Sequence, residues 1–143
     1  MTNSTIVLTN DDEIKLKTLI AISRRNGHTR DEAALCQLAE EVGRALIVPS
    51  KDIPPNVVTM NSAVEARDMD TGESLRLTVS WPEDSDFTAG RVNVLAPLGM
   101  ALLGANEGDE VEWPVPDGIR RIRLQSVVYQ PESAAGRASC LVP

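Results

Sequence analysis

Residues 92–110 read VNVLAPLGMALLGANEGDE, and the fold turns on how this stretch divides. Val92 to Leu95 is a short run that suits a strand, with β-branched valines packing well on a pleated surface. Ala96-Pro97 ends it, because proline has no N–H for a ladder while its fixed φ suits the first turn of a helix. Leu98-Gly99-Met100-Ala101-Leu102-Leu103 then reads as one to two apolar helical turns. Gly104 stops them, since glycine accepts the left-handed backbone of a helix C-terminus at little cost. A second glycine turn, Glu107-Gly108-Asp109, launches another strand.

The flanking segments supply the rest of a sheet. Ser74 to Trp81 alternates, placing Leu75, Leu77, Val79 and Trp81 on one face. Val57–Met60 and Ala63–Arg67 read as strands, and Asp70-Thr71-Gly72 as a turn. Pro82 to Gly90 is an acidic loop. Glu110–Val115 and Ile119–Tyr129 form a hairpin about Pro116-Asp117-Gly118, with Ile122, Leu124 and Val128 facing one way. An antiparallel sheet with one short helix, an α+β module over residues 50–133, is expected.

Upstream the period changes. Thr9-Asn10-Asp11-Asp12-Glu13 is a helix start, followed by Leu16, Leu19 and Ile20 at helical spacing. Asn26-Gly27 breaks the helix, and Thr29-Arg30-Asp31-Glu32 is a capping box. Leu35, Leu38, Ala39, Val42, Ala45 and Leu46 then form an apolar stripe. Residues 1–49 therefore read as a short antiparallel helical hairpin, a coiled coil packed through these leucines. Pro49 to Pro55 is a stiff linker, and residues 134–143 read as a flexible tail.

Composition narrows the function. The 143 residues carry a net charge of −7, net −1 over residues 1–50 and net −6 over residues 51–143. Such a surface repels phosphates, so strong direct nucleic-acid binding is not expected. No apolar run is long enough to cross a membrane, and the N-terminus lacks a signal-peptide pattern. Cys36 and Cys140 give neither a disulfide framework nor a CxxC motif, which agrees with the cytoplasm. His28 is a lone loop histidine. Ser62 and Ser126 lack a nucleophile-elbow context, and Gly99, Gly104 and Gly108 do not make a phosphate loop. Cys36 reads as a small packed residue, and Arg120, Arg121 and Arg123 as a solvated or protein-contacting face. No catalytic residue, metal ligand or cofactor is expected.

Ala96-Pro97-x-x-x-Ala101-Leu102-Leu103-Gly104 resembles the signature helix of the C-terminal domain of the bacterial GreA/GreB transcription factors, with Ala96 where those factors carry serine. Val57-Val58-Thr59-Met60-Asn61-Ser62, Thr71-Gly72-Glu73, Gly108-Asp109 and Tyr129-Gln130-Pro131-Glu132 extend the likeness. With Pro54-Pro55 they make residues 8–133 similar to the Rnk family, the regulators of nucleoside diphosphate kinase, Gre-factor relatives with a shortened hairpin. The resemblance implies an N-terminal antiparallel coiled coil and an FKBP-like C-terminal domain, and a monomer is expected. It also implies binding to RNA polymerase at the rim of the secondary channel, in competition with Gre factors. The binding residues it points to are Ala96, Pro97, Leu98, Ala101 and Leu102, expected to border an apolar groove. Asp31 and Glu32 stand at the hairpin tip, where Gre factors carry acids that help hold a catalytic Mg²⁺. Here a capping role explains both, so stimulation of transcript cleavage is not expected. The alternative is an FKBP-like prolyl isomerase or chaperone-like module, for which a chain with 3% aromatic residues offers little pocket material.

Overall fold

The computed structural model describes residues 6–25 and 32–133. Strand β1 (Val7–Thr9) leads into helix α1 (Asn10–Arg25), and α2 (Glu32–Arg44) leads into β2 (Leu46–Val48). After a 3-10 turn at Ser50–Asp52 come β3 (Ala63–Asp68), β4 (Ser74–Ser80), β5 (Arg91–Asn93), α3 (Pro97–Leu102), β6 (Glu110–Val115) and β7 (Gly118–Tyr129). The architecture is α+β.

The hairpin helices form where the sequence places them. The Thr9 hydroxyl accepts the Asp12 N–H at 3.0 Å, capping α1, and acids and arginines sit at its favourable ends. Leu16, Ile20, Leu35, Leu38 and Val42 are buried, and Leu19 packs half-buried beside them. The expected extension of α2 through Leu46 fails. The chain bends at Ala45, and Leu46–Val48 pairs in parallel with Val7–Thr9. Ahead of Pro49 the helical backbone is disfavoured, and a β-branched pair of residues prefers the ladder. Leu46 consequently points to solvent, 57% exposed.

The five-stranded sheet runs β5-β4-β3-β7-β6. It is antiparallel except at β4·β5, a departure from the expected all-antiparallel sheet. The Pro82–Gly90 loop carries the chain back along β4, so that Arg91 lies beside Thr78 rather than opposite a hairpin turn. Two register shifts between β3 and β7 break the alternation of the last strand. Ile122 and Leu124 face the core as expected, but Val128 is turned out and 41% exposed, while Val127 packs inward. Val57–Met60 is not a strand. Val57 makes an isolated bridge to Asn106, and Val58 exchanges hydrogen bonds of 2.8 Å with Gly104 and Ala105. The arginine cluster of β7 is spent in ion pairs on both faces: Arg120 with the buried Asp68, Arg121 with Asp70 at 3.9 Å and Arg123 with Glu110 at 3.6 Å.

Hairpin and sheet share one contiguous core, in which Leu8, Leu16 and Leu38 join Val64, Val79, Leu102 and Leu124. A polar lock crosses the same boundary. The buried Asp12 carboxylate accepts the Met60 N–H at 3.1 Å. The Thr59 hydroxyl donates to Glu132 at 2.7 Å, and the Gln130 amide donates to the Pro54 and Val57 carbonyls, both at 2.8 Å. Two sequence blocks far apart in the chain, around Val57–Ser62 and Tyr129–Glu132, are thus halves of one hydrogen-bonded unit. Burial pushes the Asp12 carboxyl up to about 6, with the nearby Glu132 adding to it and the Met60 N–H opposing.

Candidate functional site

The site grows out of the short helix. Ala96 has cap geometry, φ −76° and ψ 152°, but offers no side-chain acceptor, and Pro97 fills the first helical turn. The turn into α3 is made instead by Asn93, whose Oδ1 accepts the Leu95 N–H at 2.8 Å and whose carbonyl accepts the Ala96 N–H at 2.9 Å. Ala96→Ser should supply the missing cap and raise stability by about 1 kcal/mol, read as a higher urea midpoint. An unchanged midpoint would mean that the first-turn N–H groups are already satisfied.

Gly99, which sequence reading passed over as merely non-phosphate-binding, holds α3 in place. A Cβ there would lie 2.1 Å from the Asn93 carbonyl oxygen, so the helix rests directly on the backbone leaving β5. At the far end Gly104 has φ +82°, and a Cβ there would come within 2.4 Å of the Ile6 Cβ. The left-handed stop read from the sequence is therefore also the seat of the N-terminal segment.

These approaches leave a groove of about 400 Å³ between α2, α3 and β6. Met100, Ala101, Leu103, Val111 and Trp113 give it apolar walls, with Pro97 at the α3 end. Glu41 and Arg44 of α2 border it on one side and Asp109 on the other. Arg44 is paired to Glu41 at 2.7 Å, and the Asp109 carboxylate accepts the Asn106 N–H at 2.9 Å. An apolar floor between the charged side chains of Glu41 and Asp109 suits an amphipathic protein segment.

The sequence-derived residues divide around this groove. Pro97 and Ala101 line it. Ala96 and Leu98 are half-buried and pack against the core, and Leu102 is fully buried, so these three support the helix from beneath. Asp31 lies outside the described residues, as do His28 and the capping residue Thr29. Glu32 opens α2, where its carboxylate meets Arg24 at 3.5 Å and accepts from the Cys36 thiol at 3.2 Å, tying the two hairpin helices together. Cys36 is exposed, contrary to the packed role expected of it, because it sits on the face of α2 opposite Leu35 and Leu38. Among the described residues no cluster of three or more histidine, cysteine or acidic side chains is placed to hold a metal ion. No helix of the described residues is long and apolar enough to cross a membrane.

Trp113, Glu41 and Arg44 were not singled out in the sequence. Trp113 carried a usable signal, alternating with Val111 and Val115 on β6. The α2 residues carried none, because their proximity to α3 depends on how the hairpin docks.

Residues 53–129 match the family described as "Transcription elongation factor, GreA/GreB, C-term". The chain is 36% identical over 98 residues to the "Regulator of nucleoside diphosphate kinase" of Escherichia coli (strain K12), covering 68% of this chain and 72% of that protein. It is 31% identical over 99 residues to the "Transcription elongation factor GreA" of Sulfurovum sp. (strain NBC37-1), covering 69% of this chain and 61% of that one. Among solved structures, the "Prokaryotic transcription elongation factor GreA/GreB from Nitrosomonas europaea" superposes with a TM-score of 0.72 at 37% identity, over 87% of this chain and 100% of that one.

Proposed function

The chain belongs to the GreA/GreB family, and from that membership we propose that it is a transcription regulator that acts by binding RNA polymerase, with no enzymatic activity of its own. The groove carries the reading: an apolar floor beside Pro97 and Ala101, on the helix that bears the family pattern. In this reading the protein docks as a cytoplasmic monomer at the rim of the secondary channel and displaces Gre factors from it. An FKBP-like scaffold for residues 50–133 serves that docking and not proline isomerisation. The hairpin supports the absence of cleavage stimulation. α1 has 16 residues and α2 has 13, arms of about 24 Å and 20 Å at about 1.5 Å per residue. Arms that short stop at the channel mouth.

Ala101→Arg tests the groove by filling its apolar floor with a charged side chain. Binding to purified core polymerase should weaken by roughly thirtyfold, about 2 kcal/mol, in a variant whose melting profile is unchanged. A folded Ala101→Arg protein that binds like the wild type sinks the groove assignment. A wild type that does not bind core polymerase sinks the whole reading. Cleavage of transcripts in backtracked complexes on adding the wild type would overturn the non-catalytic role.

A further inference from the structure

The single phenylalanine of this chain is the most exposed large apolar side chain among the described residues, with 81% of Phe87 open to solvent. An exposed aromatic on a loose loop would mean little. Here the backbone beneath the ring is tightly held. Asp86 caps the 3-10 turn Phe87–Ala89, its Oδ1 accepting the Thr88 hydroxyl at 2.7 Å and the Thr88 and Ala89 N–H groups at 3.1 and 3.4 Å. The Thr88 hydroxyl, with the backbone donors and Arg91, holds the Asp86 carboxyl below the usual carboxylate range, so the cap persists into mild acid. Asp86 and Arg91 exchange two backbone hydrogen bonds of 3.0 and 2.9 Å. The Arg91 guanidinium reaches back to the Asp84 carbonyl at 2.8 Å. Gly90 closes the loop at φ +79°, so close to β4 that a Cβ would lie 2.7 Å from the Arg76 carbonyl oxygen.

The surroundings are acidic. Glu83 and Asp84 are exposed beside an open depression of about 490 Å³ that also takes in Asn61, Asp86 and Arg91. Arg91, the one cation there, is committed to Asp84 and Asp86. A rigid aromatic with few rotamers to lose, ringed by charge of one sign, is the make-up of an interface anchor.

We propose that the Pro82–Gly90 loop is a second docking element, in which Phe87 enters an apolar socket on a basic surface of the same polymerase. This rests on the polymerase reading above. The depression beside the loop and the groove share no lining residue, so the two contacts are distinct. Engaged together, each raises the effective concentration of the other. A second copy of this chain, itself at net −7, is electrostatically the wrong partner.

The test measures binding of the full-length chain to purified core RNA polymerase at two salt concentrations. Phe87→Ser should weaken binding by about tenfold or more with an unchanged melting temperature, because the ring touches little of its own protein. Phe87→Leu should retain most of the affinity. The double variant Glu83→Lys, Asp84→Lys should associate more slowly and lose part of the salt dependence. Full affinity in Phe87→Ser, with Ala101→Arg impaired, overturns this inference and leaves the polymerase reading standing. No binding by the wild type removes both. A melting temperature lowered in both Phe87 variants makes the ring structural and overturns the proposal. So does a wild-type dimer in sedimentation that Phe87→Ser abolishes, in favour of self-association.

Discussion

Gly99→Ala is expected to cost about 3 kcal/mol, the upper end for overpacking, because the added methyl meets backbone and not a yielding side chain. Its Cβ would stand 2.1 Å from the Asn93 oxygen, 2.8 Å from the Asn93 carbonyl carbon and 3.0 Å from the Val94 Cα. Relief requires α3 to lift from the sheet, which would expose Leu102 and Leu103 and reshape the groove. The melting temperature should fall by roughly 10 °C for a chain of this size, and polymerase affinity should fall with it. Gly43→Ala is the matched control. Gly43 is helical, nothing lies within 4 Å of its would-be Cβ, and alanine there should add about 0.5–1 kcal/mol. Equal behaviour of the two variants would remove the steric account of the signature helix.

Asp12→Asn should stabilise the protein at neutral pH. The folded-state pKa of about 6, against a reference of 3.8, means that the folded protein holds the proton more tightly than the unfolded chain. Protonation therefore favours folding, and this contribution is lost as pH rises from about 4 through 6. A displacement of roughly two units corresponds to about 3 kcal/mol. Asparagine keeps an acceptor for the Met60 N–H and never ionises. The variant should melt roughly 10 °C higher at pH 8 and nearly coincide with the wild type at pH 4. Asp68 and Asp86 behave oppositely. Arg120 holds the Asp68 carboxyl, and the Thr88 hydroxyl the Asp86 carboxyl, below the usual range. They contribute stability above the unfolded pKa and lose it as pH falls through their folded values. Both act equally in wild type and variant, so the difference between the two curves isolates Asp12. A difference that does not change with pH would show that Asp12 is not charged against its burial.

The elements that sequence made legible share a physical cause. The buried faces of α1, α2, β4 and the first half of β7 follow from local periodicity, since a solvent-facing and a core-facing side repeat every 3.6 or 2 residues. Gly104 and the Asp70-Thr71-Gly72 turn follow from backbone conformations that few residues tolerate. The pattern from Ala96 to Gly104 marks the family.

What the tertiary structure alone decided depends on contacts remote in sequence. β1 and β2 are too short to show a period and exist because they pair with each other. The parallel seating of β5 depends on the path of a loop, and the outward turn of Val128 on bulges set by its partner strand. Gly99 looks like any helical glycine until the Asn93 backbone is placed beneath it. Asp12 reads as an ordinary first-turn acid until the Met60 turn and Glu132 close over it. Pro97 and Ala101 face the groove while Leu98 and Leu102 do not, because a helix of fewer than two turns has no periodicity long enough to assign its faces. The far wall, Glu41 and Arg44, comes from a helix that only the docking of the hairpin brings near.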